Sequence, residues 1–284
     1  DPRRIYQFIR NNFEYVPYYG ALKGPYLTLH ERSGNDFDQA ALLVKLLRAA
    51  GYVANFRYGS VSVLLSDPGA IQALSDWLGT DAEDQLIIQT FADGGIPRTF
   101  SNNLIEFDHV WVEAVIDSEI VALDPSYKLS QRDHSIDIAA GMGLSLTNLL
   151  NAAGGTVTAD FIQAMDEPGL DAYLTSLTSQ LKAHFEQNYP NASVKEIVGG
   201  FTIIPDNSDS LPTSLPLTAS ALFSAWSEIP SNYIHTVRLE HGGIDTTYDI
   251  PDVAGRKISI QYVGEGAVDP APDDAANFGS VAIG

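Results

Sequence analysis

Ser33-Gly34-Asn35-Asp36-Phe37-Asp38-Gln39-Ala40-Ala41-Leu42-Leu43, continuing as Leu46-Leu47-Arg48-Ala49-Ala50-Gly51-Tyr52, is the stretch on which the fold turns. It reads as a helix from Phe37 to about Ala50 that stops at Gly51. Asp36-Phe37-Asp38-Gln39 has the form of a capping box with Asp36 as the N-cap. An Asp cap is worth about 1 kcal/mol over Ala. A carboxylate at a helix N-terminus is also favoured as the anion, by about 0.3–1 kcal/mol. Asp38 follows about 200° round the helix, so the two carboxylates share a target only if Asp36 precedes the helix proper.

On the N-terminal side, Ile5, Phe8, Ile9 and Phe13 recur at helical spacing from Pro2 to about Tyr15, with Asp1 as cap. Tyr15 to Tyr26 is an aromatic loop broken by Pro17, Gly20, Gly24 and Pro25. On the C-terminal side, Tyr52 to Leu65 reads as strand with a turn near Gly59. Helices are expected from Asp67-Pro68 and over Asp81 to Phe91, ending at Gly94-Gly95-Ile96-Pro97. Leu104 to Val115 is a strand, Ile116 to Glu119 a turn, and Ile120 to Leu123 returns antiparallel. Beyond Lys128 the pattern turns helical, with Leu144–Ala152 and Leu170–Asn188 as its main segments. Pro205 to Pro216 is a linker, and three short strands follow at His235–Leu239, Thr247–Ile250 and Lys257–Tyr262. The tail from Gly264 is acidic and reads as loose. The expected division is 1–130 core, 131–205 helical extension, and 206–284 linker, small β appendage and tail.

The 284 residues carry a net charge of −20, which argues against nucleic acid or an anionic membrane as partner. It suits a secreted or surface-exposed protein. No run reaches the roughly 18 apolar residues of a membrane span. Asp1-Pro2-Arg3-Arg4 enters a helix directly without a signal peptide, so the chain reads as part of a longer multidomain protein. There is no cysteine, hence no disulfide and no thiolate metal site. No phosphate loop or metal-spaced His pair is present, and no cofactor or metal is expected.

Three short motifs carry a family resemblance. The Asn35-Asp36 helix start with its Leu-Leu-Arg-Ala ending, the strand His109-Val110-Trp111-Val112-Glu113-Ala114, and Ala122-Leu123-Asp124-Pro125-Ser126 occur in order. Over about residues 1–128 the chain resembles the transglutaminase-like superfamily, with its papain-like core. The resemblance implies an α+β fold in which a helix packs on an antiparallel sheet. It also implies a catalytic triad at positions 36, 109 and 124, where Asp36 stands at the nucleophile cysteine's place. Short strings, Asn188-Tyr189-Pro190-Asn191-Ala192 and Ile203-Ile204-Pro205, are similar to those of such domains in bacterial surface or secreted proteins.

In the cysteine enzymes a thiolate at a helix N-terminus attacks an acyl carbon, with His as base and Asp fixing its tautomer. A carboxylate attacking an amide would give a mixed anhydride that the amine reopens. Asp36 could instead attack an anomeric carbon or activate water, with His109 and Asp124 assisting. That makes a hydrolase of an extracellular glycan the leading expectation, with Tyr18, Tyr19, Asn35, Asp38 and Trp111 as substrate-binding candidates. Trp111 shares the parity of His109, so both side chains face one side of the strand. Exposed tyrosines beside carboxylates suit sugar rings. Two alternatives stand beside it. Asp36 caps a helix in a catalytically inactive binding module, or it is an engineered replacement in a cysteine-type acyl transferase or protease.

Overall fold

A computed structural model describes residues 1–133, 136–158, 160–241, 244–262 and 279–283. The stretch expected to be a loose acidic tail lies largely outside the described residues. Two compact units are present, one of residues 1–130 with 203–284 and one of residues 131–202.

In the first unit, helix α1 (Pro2–Asn12) starts as its sequence dictates, Asp1 accepting the Arg3 amide at 3.0 Å and Pro2 occupying the first turn. Helix α2 (Gly24–Glu31) lies where only loop was expected. Helix α3 (Asp36–Ala49) is followed by Gly51, whose φ of +89° is the left-handed value that favours glycine after a helix.

Strand β1 (Val53–Leu64) leads into helices α4 (Pro68–Leu78) and α5 (Asp84–Asp93). Strands β2 (Arg98–Ser101), β3 (Leu104–Ile116) and β4 (Glu119–Leu123) follow. A later strand, β5 (Thr218–Trp226), joins the same antiparallel sheet, in the order β5–β1–β3–β2 with β4 also on β3.

The sheet divides the core. Val110, Val112 and Ala114 of β3 pack with Ile9 of α1 and with Ala40, Leu43 and Leu47 of α3. Their odd-numbered neighbours Ile105, Phe107 and Trp111 pack with Trp77 of α4 and Phe91 of α5. This two-residue alternation lets one strand serve two apolar layers.

The turn expected at Gly59 is absent, because β1 is continuous and pairs residue by residue with β3 from Val53 to Leu64. Glycine is needed there for close approach. A Cβ at 59 would stand 2.4 Å from the Ala221 carbonyl of β5 and 2.8 Å from the Trp111 ring.

Arg48 binds the end of α3 to the C-terminal segment. Its Nε donates to the Ala54 carbonyl at 2.9 Å, and its other nitrogens reach the Ser227 carbonyl at 2.6 Å and Glu228 at 2.7 Å. Beyond β5, a hairpin of β6 (Thr236–His241) and β7 (Ile244–Asp249) leads into a single helical turn, Ile250–Val253.

The second unit contains helices α6 (Leu146–Ala153) and α7 (Glu167–Asn188), started by Ser145 and Asp166 caps. No described helix is long and apolar enough to cross a membrane.

Candidate functional site

The start of α3 is built differently from the expected capping box. Asn35, not Asp36, is the N-cap, its Oδ1 accepting the Asp38 amide at 2.9 Å. Its Nδ2 donates to the Tyr18 and Gly20 carbonyls at 2.8 Å each. Gln39 does not reach back to the cap, because its Nε2 donates to the carbonyls of Glu14 at 3.1 Å and Gly34 at 2.7 Å. Capping therefore does not account for Asp36.

What Asp36 does follows from a gap in the sheet. On one side β3 is paired with β1 along its length; on the other, β2 covers residues 104–107 and β4 covers 112–116. Between them the Asp108 amide donates to the Pro97 carbonyl at 3.0 Å. The Val110 amide donates to Asp36 Oδ2 at 2.8 Å. A helix-borne carboxylate thus replaces a missing strand carbonyl, as a buried N–H requires.

The same Oδ2 lies 3.1 Å from His109 Nδ1, and His109 Nε2 lies 2.8 Å from Asp124 Oδ2. The second oxygen of Asp124 accepts the Ser126 amide at 2.9 Å, the Ser126 hydroxyl at 2.7 Å and the Tyr127 amide at 3.1 Å. All three members are enclosed, at 4% exposure for Asp36, 1% for His109 and 1% for Asp124. The His109 ring is walled by Trp77, Phe107 and Trp111 at centroid distances of 5.7, 6.2 and 6.4 Å.

Burial alone would lower the pKa of His109. The carboxylate of Asp124, joined by that of Asp36, overrides this and raises it to about 10. Burial would raise Asp124, but His109 and the Ser126 and Tyr127 donors hold it below the usual carboxylate range. With its pKa raised in this way, His109 is held as an imidazolium at neutral pH, hydrogen-bonded through Nε2 to Asp124 and paired by charge with Asp36 across 3.1 Å. Such a group has no lone pair with which to act as a base. A two-carboxylate glycosidase needs the scissile bond between its carboxyl groups, and here the imidazole ring fills that space. The arrangement does not support a glycoside hydrolase role.

The other expected binding residues are turned inward. Burial raises the pKa of Asp38 against its hydrogen bonds. Its carboxylate is occupied by the Leu22, Lys23 and Gly24 amides, at 2.9 Å for Gly24, and by the Tyr18 hydroxyl. Tyr19 and Tyr58 share a hydroxyl contact at 3.0 Å, and Tyr15 stacks on Trp77 at 4.4 Å. Trp111 lies on the His109 side of the strand, as its parity requires, but as a buried wall. Of the loop tyrosines expected to form a sugar platform, Tyr26 is exposed, on α2. Glu113 on β3 pairs with Arg57 of β1 at 3.1 Å.

Lys128 was not anticipated. It is buried, and its Nζ donates to the Phe13 carbonyl at 2.6 Å and to Gln39 Oε1 at 2.7 Å. Burial holds its pKa well below the usual lysine value.

His109 and Lys128 impose opposite pH dependences. His109 is raised, so its stabilisation is complete below about pH 6.5 and is lost as pH rises toward 10. Lys128 is lowered, so between its folded and its ordinary pKa the unfolded chain holds a proton that the native state lacks, and there stability rises with pH. The expected result, by urea denaturation, is a parent whose stability falls less steeply with pH between 7 and 9 than the histidine arm alone would give, because the Lys128 arm opposes it. Lys128→Met should expose the histidine arm, with a fall of up to about 1.4 kcal/mol per pH unit. Equal slopes in the two proteins would refute this assignment.

Residues 1–125 match the family profile described as transglutaminase-like superfamily. That segment is a transglutaminase-like core, with Asp36 in the nucleophile position and α3 packed on the antiparallel sheet. Among solved structures, a candidate cysteine protease from Cytophaga hutchinsonii is 20% identical with a TM-score of 0.26. The match covers 44% of this chain and 30% of that one, and at this TM-score it carries no argument. No curated protein matches the chain.

Proposed function

We propose that this chain carries a transglutaminase-like domain whose triad serves as a buried structural ion pair, and that the domain acts by binding rather than by turnover. The carrying observation is the enclosed His109 ring, held 3.1 Å from Asp36 and 2.8 Å from Asp124 with no room for a substrate between them. With no cysteine in the chain, the thiolate step has no nucleophile. The strongly acidic composition supports a setting outside the cell without nucleic-acid partners, and the strings Asn188–Ala192 and Ile203–Pro205 support a place within a longer bacterial surface chain.

The test is a search for products by mass spectrometry. The protein is incubated with a glutaminyl peptide plus an amine, with casein, and with a polysaccharide panel. No transamidation or cleavage product is expected. Asp36→Asn is run in parallel and should fold, since its Oδ1 can still accept from Val110. A product that the parent makes and folded Asp36→Asn does not would overturn the proposal.

A further inference from the structure

A concavity of the first unit lies against α3, apart from the triad, with a volume of about 520 Å³. That is within the range of small-ligand sites. Its floor is apolar: Ala41 and Val44 of α3, Phe56 of β1, and Ile229 and Ile234 from the segment after β5. Three regions distant in sequence converge on it, and the Arg48 bonds to Ser227 and Glu228 help fix that convergence.

The rim charges fall into two groups. Arg48 and Glu228 neutralise each other at 2.7 Å. Lys45 on α3, and Asp249 and Asp252 at the C-terminal turn, also line the cavity. Asp249 heads that turn without capping it through its side chain. An apolar floor is thus rimmed by a cation and two carboxylates that make no ion pair among the described residues.

We infer that this cavity binds a short apolar peptide as a zwitterion, its ammonium beside Asp249 and Asp252, its carboxylate beside Lys45, and its side chains on the apolar floor. Unlike charges on the rim meet the unlike ends of the ligand, while the middle leaves water. A purely anionic ligand would meet two carboxylates within a protein of net charge −20. A purely cationic one would leave Lys45 without a partner. The inference rests on the binding-module reading in one respect: the ligand is held and released intact.

The experiment is calorimetric titration of the whole chain with Leu-Leu, N-acetyl-Leu-Leu and Leu-Leu amide, each recovered and weighed by mass spectrometry. Leu-Leu is expected to bind in the millimolar range or tighter, and each blocked form at least fivefold more weakly. Asp249→Asn with Asp252→Asn should remove the penalty for acetylation. Lys45→Glu, on an exposed position, should reverse the preference between Leu-Leu and its amide. Ala41→Phe should fill the cavity and abolish binding of all three. No binding by the parent, equal binding of free and blocked peptides, or binding unaffected by Lys45→Glu would overturn the site while leaving the silent triad standing. Cleaved peptide would overturn the silent triad while leaving the site.

Discussion

His109→Gln is expected to destabilise the protein by about 3–5 kcal/mol at pH 7, since the substitution removes the one cation between two buried carboxylates. Asp36 and Asp124 would remain enclosed, with only backbone amides and the Ser126 hydroxyl to hold them. Unpaired carboxyl groups in such a place take up protons well above their usual pKa. The variant should therefore recover stability as pH falls from 7 to 5 by more than the small gain His109 gives the parent, in which Asp124 is held low and contributes none. Urea denaturation at the two pH values measures both effects. A loss below about 1 kcal/mol, or one unchanged between pH 7 and 5, would mean that the imidazolium does not hold this site together.

The second large effect concerns position 36. Asp36→Cys should produce a thiol whose pKa lies several units below the ordinary value of about 8.5. Three features already on the molecule favour its anion: the first turn of α3, the Val110 amide and the His109 imidazolium. Ultraviolet absorbance of the thiolate, followed from pH 3 to 9, gives the value directly, because the chain has no other cysteine. Adding Asp124→Asn should raise the thiol again, since Asp124 is the larger of the two charges holding the imidazolium. Titration near 8.5 in the single variant would show that the site no longer supports an ion pair of the cysteine-enzyme kind.

The helix and strands bearing the triad were legible in the sequence because each carries its own local signal. Leu42, Leu43, Leu46 and Leu47 mark one helix, and alternation marks β3. What went unread depends on partners remote in sequence. Asp36 looked like a cap because an Asp-x-x-Gln string fits one. Its true role needs Val110, 74 positions away and left unpaired by a gap between two other strands. Gly59 looked like a turn, but the reason for glycine is a tryptophan and a carbonyl from two neighbouring strands. Strand β5 hides in Thr-Ala-Ser-Ala-Leu-Phe-Ser-Ala-Trp, where small residues blur the alternation. Helix α2 was masked by Gly24 and Pro25, which in fact open it. Lys128 gave no signal, since a lysine's burial is decided by what folds over it.

A thiolate–imidazolium couple is a vulnerable device, open to peroxide, alkylating agents and thiophilic metal ions. With a carboxylate at the head of α3, the charge pattern no longer depends on sulfur at all. The central ion pair is then inert toward oxidants, and neither a reductant nor a thiol repair system is needed to keep it whole.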